Sequence, residues 1–202
     1  MDVSNILGQN LPAQAQLQLL LEGNQRFASG QTLNPHRDGL RRTEIARQQN
    51  PSALVISCSD SRQVPELIFD CGLGDLFVVR TAGHCVGASV MGTIEFGMLV
   101  LGIRLVMVLG HTRCGAIASA LAARHEEEAP RGHLPALLTM IRPAVDDISM
   151  SSVHPDQLAE ETMLQHVRRS VALIEESAEW EQRPLVVGGR YDLDTGLVTL
   201  VE

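Results

Sequence analysis

Two short apolar runs constrain this chain more than any other feature. Ala53 to Ser57 reads ALVIS and ends at Cys58; Leu105 to Gly110 reads LVMVLG and is followed by His111 and Cys114. Both runs are rich in β-branched residues and bounded by polar or glycine positions, so they predict strands buried on both faces, the kind found in parallel sheets. Strands of that kind need helices on both sides, which makes the expected class α/β: a mostly parallel central sheet flanked by helices. Residues at the carboxyl ends of such strands stand at the edge where open α/β sheets bind ligands.

The residues at that edge carry chemistry. Two thiols and an imidazole, Cys58, Cys114 and His111, are the ligand set of an open catalytic zinc, which keeps its fourth position for water. After Cys114 and Gly115 the Ala-rich stretch Ala116 to Arg124 predicts a helix. Cys114 would then sit near a helix N-terminus, where the dipole favours a thiolate, and Gly115 would turn a backbone N–H toward an anion at the metal. Asp60 and Arg62 follow Cys58 closely. An Asp beside two thiolates would be repelled without compensation, and the Arg supplies it.

The remaining chain bounds the class. At 202 residues it is long enough for one sizeable core, read as a single domain over 1–202 with an N-terminal helical arm (1–50) and an α/β core (51–202). No apolar run approaches the roughly 18 residues of a membrane span, and Leu99 to Leu109 is broken by Gly102 and Arg104. The first residues have neither a basic segment nor an apolar core and do not read as a secretory signal; the expected compartment is the cytoplasm. A net charge of −8 argues against a nucleic-acid partner. Cys71 and Cys85 read as buried structural thiols, and His84 with Cys85 does not read as a second metal site, because adjacent residues rarely ligate one metal.

Helices are expected at Pro12 to Gly30, with an apolar stripe of Leu17, Leu20, Leu21 and Phe27, at Leu40 to Gln49, Val90 to Gly102, Leu134 to Ile148 and Pro155 to Glu179. A further strand is expected at Leu76 to Arg80, and a closing edge strand and hairpin at Leu185 to Tyr191 and Leu197 to Val201. The acidic stretch Glu126 to Glu128 reads as a solvated loop.

Cys58-Ser59-Asp60-Ser61-Arg62 and Gly110-His111-Thr112-Arg113-Cys114-Gly115, with Asp75 to Gly83 (DLFVVRTAG) between them, resemble the zinc motifs of the β-class carbonic anhydrases. The resemblance extends from Leu20 to Phe27 through Tyr191 to Gly196. It implies one Zn2+ per chain on Cys58, His111 and Cys114, and reversible hydration of CO2 to bicarbonate by hydroxide carried on the metal. It also implies a catalytic pair in which Asp60 orients that hydroxide and Arg62 holds Asp60 ionised and away from the metal. Gln49 matches a substrate-binding Gln, and Phe77 and Phe96 match aromatic positions lining the CO2 pocket. The family's assemblies imply a homodimer at least, with a tetramer left open, and an arm that packs across onto another subunit.

Three departures stand out. Gln63 replaces a common Val, giving a more polar wall near Arg62; Phe96 stands where Tyr is frequent; and His84, where Asn is frequent, reads as an exposed surface residue more readily than as a proton shuttle. Arg80 and Tyr191 match two members of an inhibitory bicarbonate site found in some bacterial relatives, but Val55 replaces its Trp, so the open form with weak or absent bicarbonate inhibition is expected. Competing readings use the same ligands differently: a hydrolase of carbonyl sulfide or carbon disulfide, or a non-catalytic zinc or redox thiol protein. The latter would need neither Asp60 nor Arg62 and would prefer a closed four-ligand set.

Overall fold

The computed structural model describes residues 11–124, 131–148, 153–176 and 183–202. Five strands form one sheet in the order β2-β1-β3-β4-β5: β1 (Ala53–Cys58), β2 (Leu76–Thr81), β3 (Leu105–His111), β4 (Leu185–Tyr191) and β5 (Val198–Val201). The first four run parallel, and β5 returns antiparallel to β4 as the second arm of a hairpin. Every residue of β1 and β3 is buried, and alternate side chains feed two cores. Leu54, Ile56, Val106 and Val108 face one side; Ala53, Val55, Leu105, Met107 and Leu109 face the other.

The first side is covered by α4 (Ala88–Leu99), α5 (Gly115–Ala122), α6 (Leu134–Asp147) and α7 (Leu158–Glu176). Three of these differ in their starts from the sequence expectation: extended Gly87 caps α4, which begins at Ala88 rather than at Val90, α5 begins at Gly115 rather than at Ala116, and Pro155–Gln157, capped by His154, forms a separate 3-10 turn before α7. The charged helix expected at Leu40 to Gln49 is shorter: α2 (Gly39–Glu44), capped by the Asp38 carboxylate, passes into a 3-10 turn at Ile45–Arg47. A short helix that the periodicity did not signal, α3 (Pro65–Ile68), opens on Pro65 at its first turn. Glu126 to Glu128 and the last expected turn before Glu179 lie outside the described residues.

The other side is covered by α1 (Ala13–Ala28) and α3. Within the chain the apolar stripe of α1 has a surface to meet: Leu20 is fully buried among Ile68, Phe69 and Val198. The approach is close enough that a Cβ at Gly23 would fall 2.0 Å from the Phe69 carbonyl oxygen. Buried Asn24 fastens the helix further, donating to the Ile68 and Gly196 carbonyls and accepting from the Val198 N–H. The segment after α1 is held by Asp70, whose carboxylate accepts from Arg26 and from the backbone N–H groups of Leu33 and Asn34. No described helix is long and apolar enough to cross a membrane.

Candidate metal centre

The sheet order places β2 and β3 on opposite sides of β1, so the chain changes direction of winding at the β1/β3 crevice, where open α/β sheets bind ligands. Cys58 is the last residue of β1, His111 the last of β3, and Cys114 caps α5. All three are buried, and their donor atoms lie within 4.8 Å of one another.

Their chemistry fits a zinc ion. The two sulfurs stand 4.0 Å apart, and tetrahedral coordination with Zn–S of about 2.3 Å puts two sulfurs about 3.8 Å apart. His111 Nδ1–H donates to the Thr112 carbonyl oxygen at 2.9 Å, which leaves Nε2 as the acceptor. That Nε2 is buried without a hydrogen-bond partner, a costly state that a metal would relieve.

The hydrogen bond between the two thiols splits their acidities. The hydrogen bond from Cys114, against the opposing effect of burial, holds Cys58 down to about 4, helped by His111 and by the backbone N–H groups of Asp60 and Gly83. The same bond to Cys58, with burial, pushes Cys114 up, although the N–H groups of Ala116 and Ile117 at the start of α5 oppose the rise. A divalent cation would displace the Cys114 proton and take both sulfurs as thiolates.

Asp60 borders this cluster, with Oδ2 3.9 Å from His111 Nε2. Arg62 grips it in a fork: Nε to Oδ1 at 2.9 Å and Nη2 to Oδ2 at 2.7 Å, with the Arg62 N–H also on Oδ1. These bonds hold the Asp60 carboxyl well below the usual carboxylate range. Arg80 clamps the backbone beneath, donating to the Cys58 and Asp60 carbonyl oxygens. Val55 is fully buried in β1 and Tyr191 nearly so in β4.

Other predicted residues fall elsewhere. Gly115 opens α5 at the cluster, exposed, with open space where a Cβ would be. Gln49 is exposed and lies in the segment leading into β1, whose start is the sheet edge opposite the ligands; the steps from Ala53 to Cys58, at about 3.3 Å each, separate the two edges by roughly 16 Å. Phe77 pairs with Leu54, near the start of β1, and stacks on Phe96 with ring centroids 6.1 Å apart. One chain therefore does not gather Gln49, Phe77 and Phe96 around Cys58.

Two expectations are corrected. Gln63 does not line a polar wall beside Arg62: it is fully buried, bonded to the backbone of β1 and β3. His84 is not a surface residue: it is fully buried, tilted against His166 with centroids 4.7 Å apart, and burial holds it neutral by lowering its pKa well below the usual histidine value. Sequence reading missed the role of Gly83. Its φ of 66° places it in the left-handed region that suits glycine, and there its N–H donates to Cys58 Sγ at 3.2 Å while His166 Nε2 bonds its carbonyl oxygen at 3.1 Å. It also missed Arg113, whose guanidinium grips Asp194 and ties the loop between the ligands His111 and Cys114 to the β4/β5 hairpin.

Fold and site together define an α/β protein with a buried two-thiol, one-imidazole cluster, able to hold a metal ion, at the switch point of its sheet; open, catalytic zinc sites use a ligand set of this kind. A family profile described as "Carbonic anhydrase" matches residues 53–198. The carbonic anhydrase of Mycolicibacterium smegmatis is 39% identical over 186 residues, covering 90% of this chain and 89% of the relative. The Coccomyxa β-carbonic anhydrase solved with acetazolamide superimposes with a TM-score of 0.70 at 25% identity, covering 92% of this chain and 86% of that one. Tetrameric β-carbonic anhydrases from Sordaria macrospora share the fold, with a TM-score of 0.68 at 22% identity over 92% of this chain and 96% of theirs. The chain belongs to the β-class carbonic anhydrase family, and its enzyme class is that of a carbonate dehydratase.

Proposed function

We propose that this chain hydrates CO2 reversibly to bicarbonate and a proton, using one Zn2+ held by Cys58, His111 and Cys114. Bound there, the metal would supply a Lewis acid that makes water nucleophilic near neutral pH. The chain's own residues do the rest. Asp60, kept ionised by Arg62, accepts a hydrogen bond from the attacking water and aims its lone pair at the carbon of CO2. Arg62 occupies both carboxylate oxygens, so Asp60 is restrained from turning onto the metal. Gly115 leaves the approach open and offers its amide to the developing anion. One water and one CO2 become one bicarbonate, and the proton passes to solvent buffer.

Gln49, Phe77 and Phe96 would serve as substrate-binding residues across a subunit boundary. The outer edge of β2 has no strand neighbour, and beside it Phe96, Leu99 and Val100 expose an apolar face of α4. A second copy seated there buries that face and brings its own Gln49, Phe77 and Phe96 toward this site. We propose a homodimer on this surface, able to pair into a tetramer, and a cytoplasmic setting in keeping with four free thiols.

The observation that carries the reading is the buried, unpartnered His111 Nε2 beside two thiols and an Arg-locked carboxylate. Stopped-flow CO2 hydration from about pH 6.5 to 9, with zinc quantified, tests it. Activity in proportion to one zinc per chain, lost on chelation and regained with Zn2+, is expected. A fully zinc-loaded protein with no CO2 activity would instead favour carbonyl sulfide or carbon disulfide, to be assayed directly.

A further inference from the structure

The chain leaves β2 at Thr81, the partner of Cys58 in the ladder with β1, and turns sharply. Gly83 and His84 both stand in the left-handed region, with φ of 66° and 47°. Glycine adopts that conformation freely, but at His84 it costs about 1 kcal/mol or more and persists only where neighbours hold it. The turn lies against the proposed ligands and aims the Gly83 N–H at Cys58 Sγ, 3.2 Å away.

This turn is held from two sides. From within, Thr81 Oγ1 donates to the Cys85 carbonyl oxygen at 2.9 Å. From α7, His166 reaches in: its Nε2–H donates to the Gly83 carbonyl oxygen at 3.1 Å, and its ring lies against that of His84 with centroids 4.7 Å apart. His84 offers no comparable tie, because both its ring nitrogens are buried without a partner. The N–H and the carbonyl of Gly83 belong to successive peptide planes. Anchoring the carbonyl therefore fixes the direction of the N–H through the backbone of one residue, and does not polarise a single peptide group. Burial keeps His166 neutral, with its pKa down to about 4, so what it delivers near the sulfur is direction without charge.

We infer that His166 is a positioning residue for the metal centre: acting through the Gly83 carbonyl, it holds the Gly83 N–H on the sulfur of Cys58. A hydrogen bond to a ligating thiolate draws charge from the sulfur and restricts its orientation, and contacts of this outer kind tune metal affinity. The inference rests on the metal-centre reading above and adds to it a residue from α7, an element that carries none of the proposed ligands.

The test compares wild type with His166→Phe, which keeps a ring against His84 but has no donor, and His166→Gln, which keeps a neutral donor. Three readouts are taken: Zn2+ affinity by chelator competition, the absorption spectrum of the Co2+-substituted protein, and NMR of the Cd2+-loaded protein, in which the wild-type Gly83 amide proton should couple to cadmium across the sulfur. His166→Phe is expected to bind Zn2+ about 10-fold more weakly, to shift the thiolate-to-Co2+ charge-transfer band and to lose the Gly83 coupling, with kcat reduced and KM for CO2 nearly unchanged. His166→Gln should stay within about twofold of wild type in affinity and keep both the band and the coupling. A merely structural His166 would lower the stability of both variants while leaving the spectrum and the coupling of the folded proteins alone, and that result would overturn the inference. So would a His166→Gln protein as altered at the metal as His166→Phe, since the donor would then not be what matters.

If His166→Phe does not fold, the wild-type protein decides. Nitrogen NMR of labelled histidine should find His166 as the Nε2–H tautomer with a slowly exchanging ring proton; the Nδ1–H tautomer, or a Gly83 amide uncoupled from bound cadmium, would overturn the proposal. Failure of wild type itself to bind Zn2+, Co2+ or Cd2+ would remove the metal-centre reading and this inference with it, a result distinct from a metal-loaded His166→Phe protein that behaves as wild type.

Discussion

At the scale of the residue, the pairing of Asp60 with Arg62 separates orientation from ligation. Both carboxylate oxygens accept from the guanidinium, so in the proposed centre Asp60 stands beside Cys58, His111 and Cys114 without joining them. Asp60→Asn keeps the shape and removes the charge. Hydration should fall by about 100-fold or more while zinc content stays at one per chain, since a positioned proton acceptor is worth about that much; full activity with zinc retained would take Asp60 out of the mechanism. His166 allows a second prediction. Burial holds its pKa down to about 4, against a hydrogen bond to the Gly83 carbonyl that raises it. The unfolded chain therefore binds a proton at about pH 6.5 that the folded chain refuses until about pH 4. Stability from this group is whole above pH 6.5 and is lost as pH falls toward 4, on the order of 3 kcal/mol in all. His166→Gln can still donate to Gly83 but does not titrate, so urea unfolding should show a flatter decline for the variant between pH 6.5 and 4.5. Equal slopes would mean that His166 is not held neutral by the fold.

At the scale of the element, the ends of strands matter more than their middles. β1 and β3 are buried throughout, and their apolar letters announce them. What positions the ligands is the set of ties at their carboxyl ends: Arg80 to the Cys58 and Asp60 carbonyls, Gly83 to the Cys58 sulfur, and Thr112 to the hairpin, with its N–H on the Tyr191 carbonyl and its hydroxyl accepting from Leu193. α1 is tied in the same manner through Asn24. Asn24→Ala leaves the Val198 N–H without its acceptor and two carbonyls without their donor in a buried region, which should cost about 2–3 kcal/mol in urea unfolding. A loss under about 0.5 kcal/mol would show that α1 is held by apolar contact alone.

At the scale of the whole molecule, the exposed apolar face of α4 asks for a partner. Phe96, Leu99 and Val100 are 46%, 74% and 65% exposed, a cluster that a stable monomer rarely leaves open. The double change Leu99→Asp and Val100→Asp should shift sedimentation from a dimer or larger toward the 21.9 kDa chain. Hydration should fall by about 10-fold or more with zinc retained, since Gln49, Phe77 and Phe96 would no longer reach a second site. A fully active monomer would place substrate binding within one chain. The grouping of Cys58, His111 and Cys114 and the α/β class were legible in the sequence because both rest on local signals: β-branched runs that only a buried strand satisfies, and Cys and His types whose chemistry is narrow. Gln63, Gly83 and His166 were not legible, because a polar side chain acquires its role from backbone groups tens of residues away, and no periodicity records which carbonyl it will meet. For the same reason the stripe of α1 declared a helix with one face to bury but not the surface that would bury it. By itself the sequence determined which atoms could hold a metal and which strands would carry them; only the tertiary structure decided how far apart the strand ends stand, which amide bridges them and which apolar face stays exposed, because those are set by contacts between segments distant in the chain.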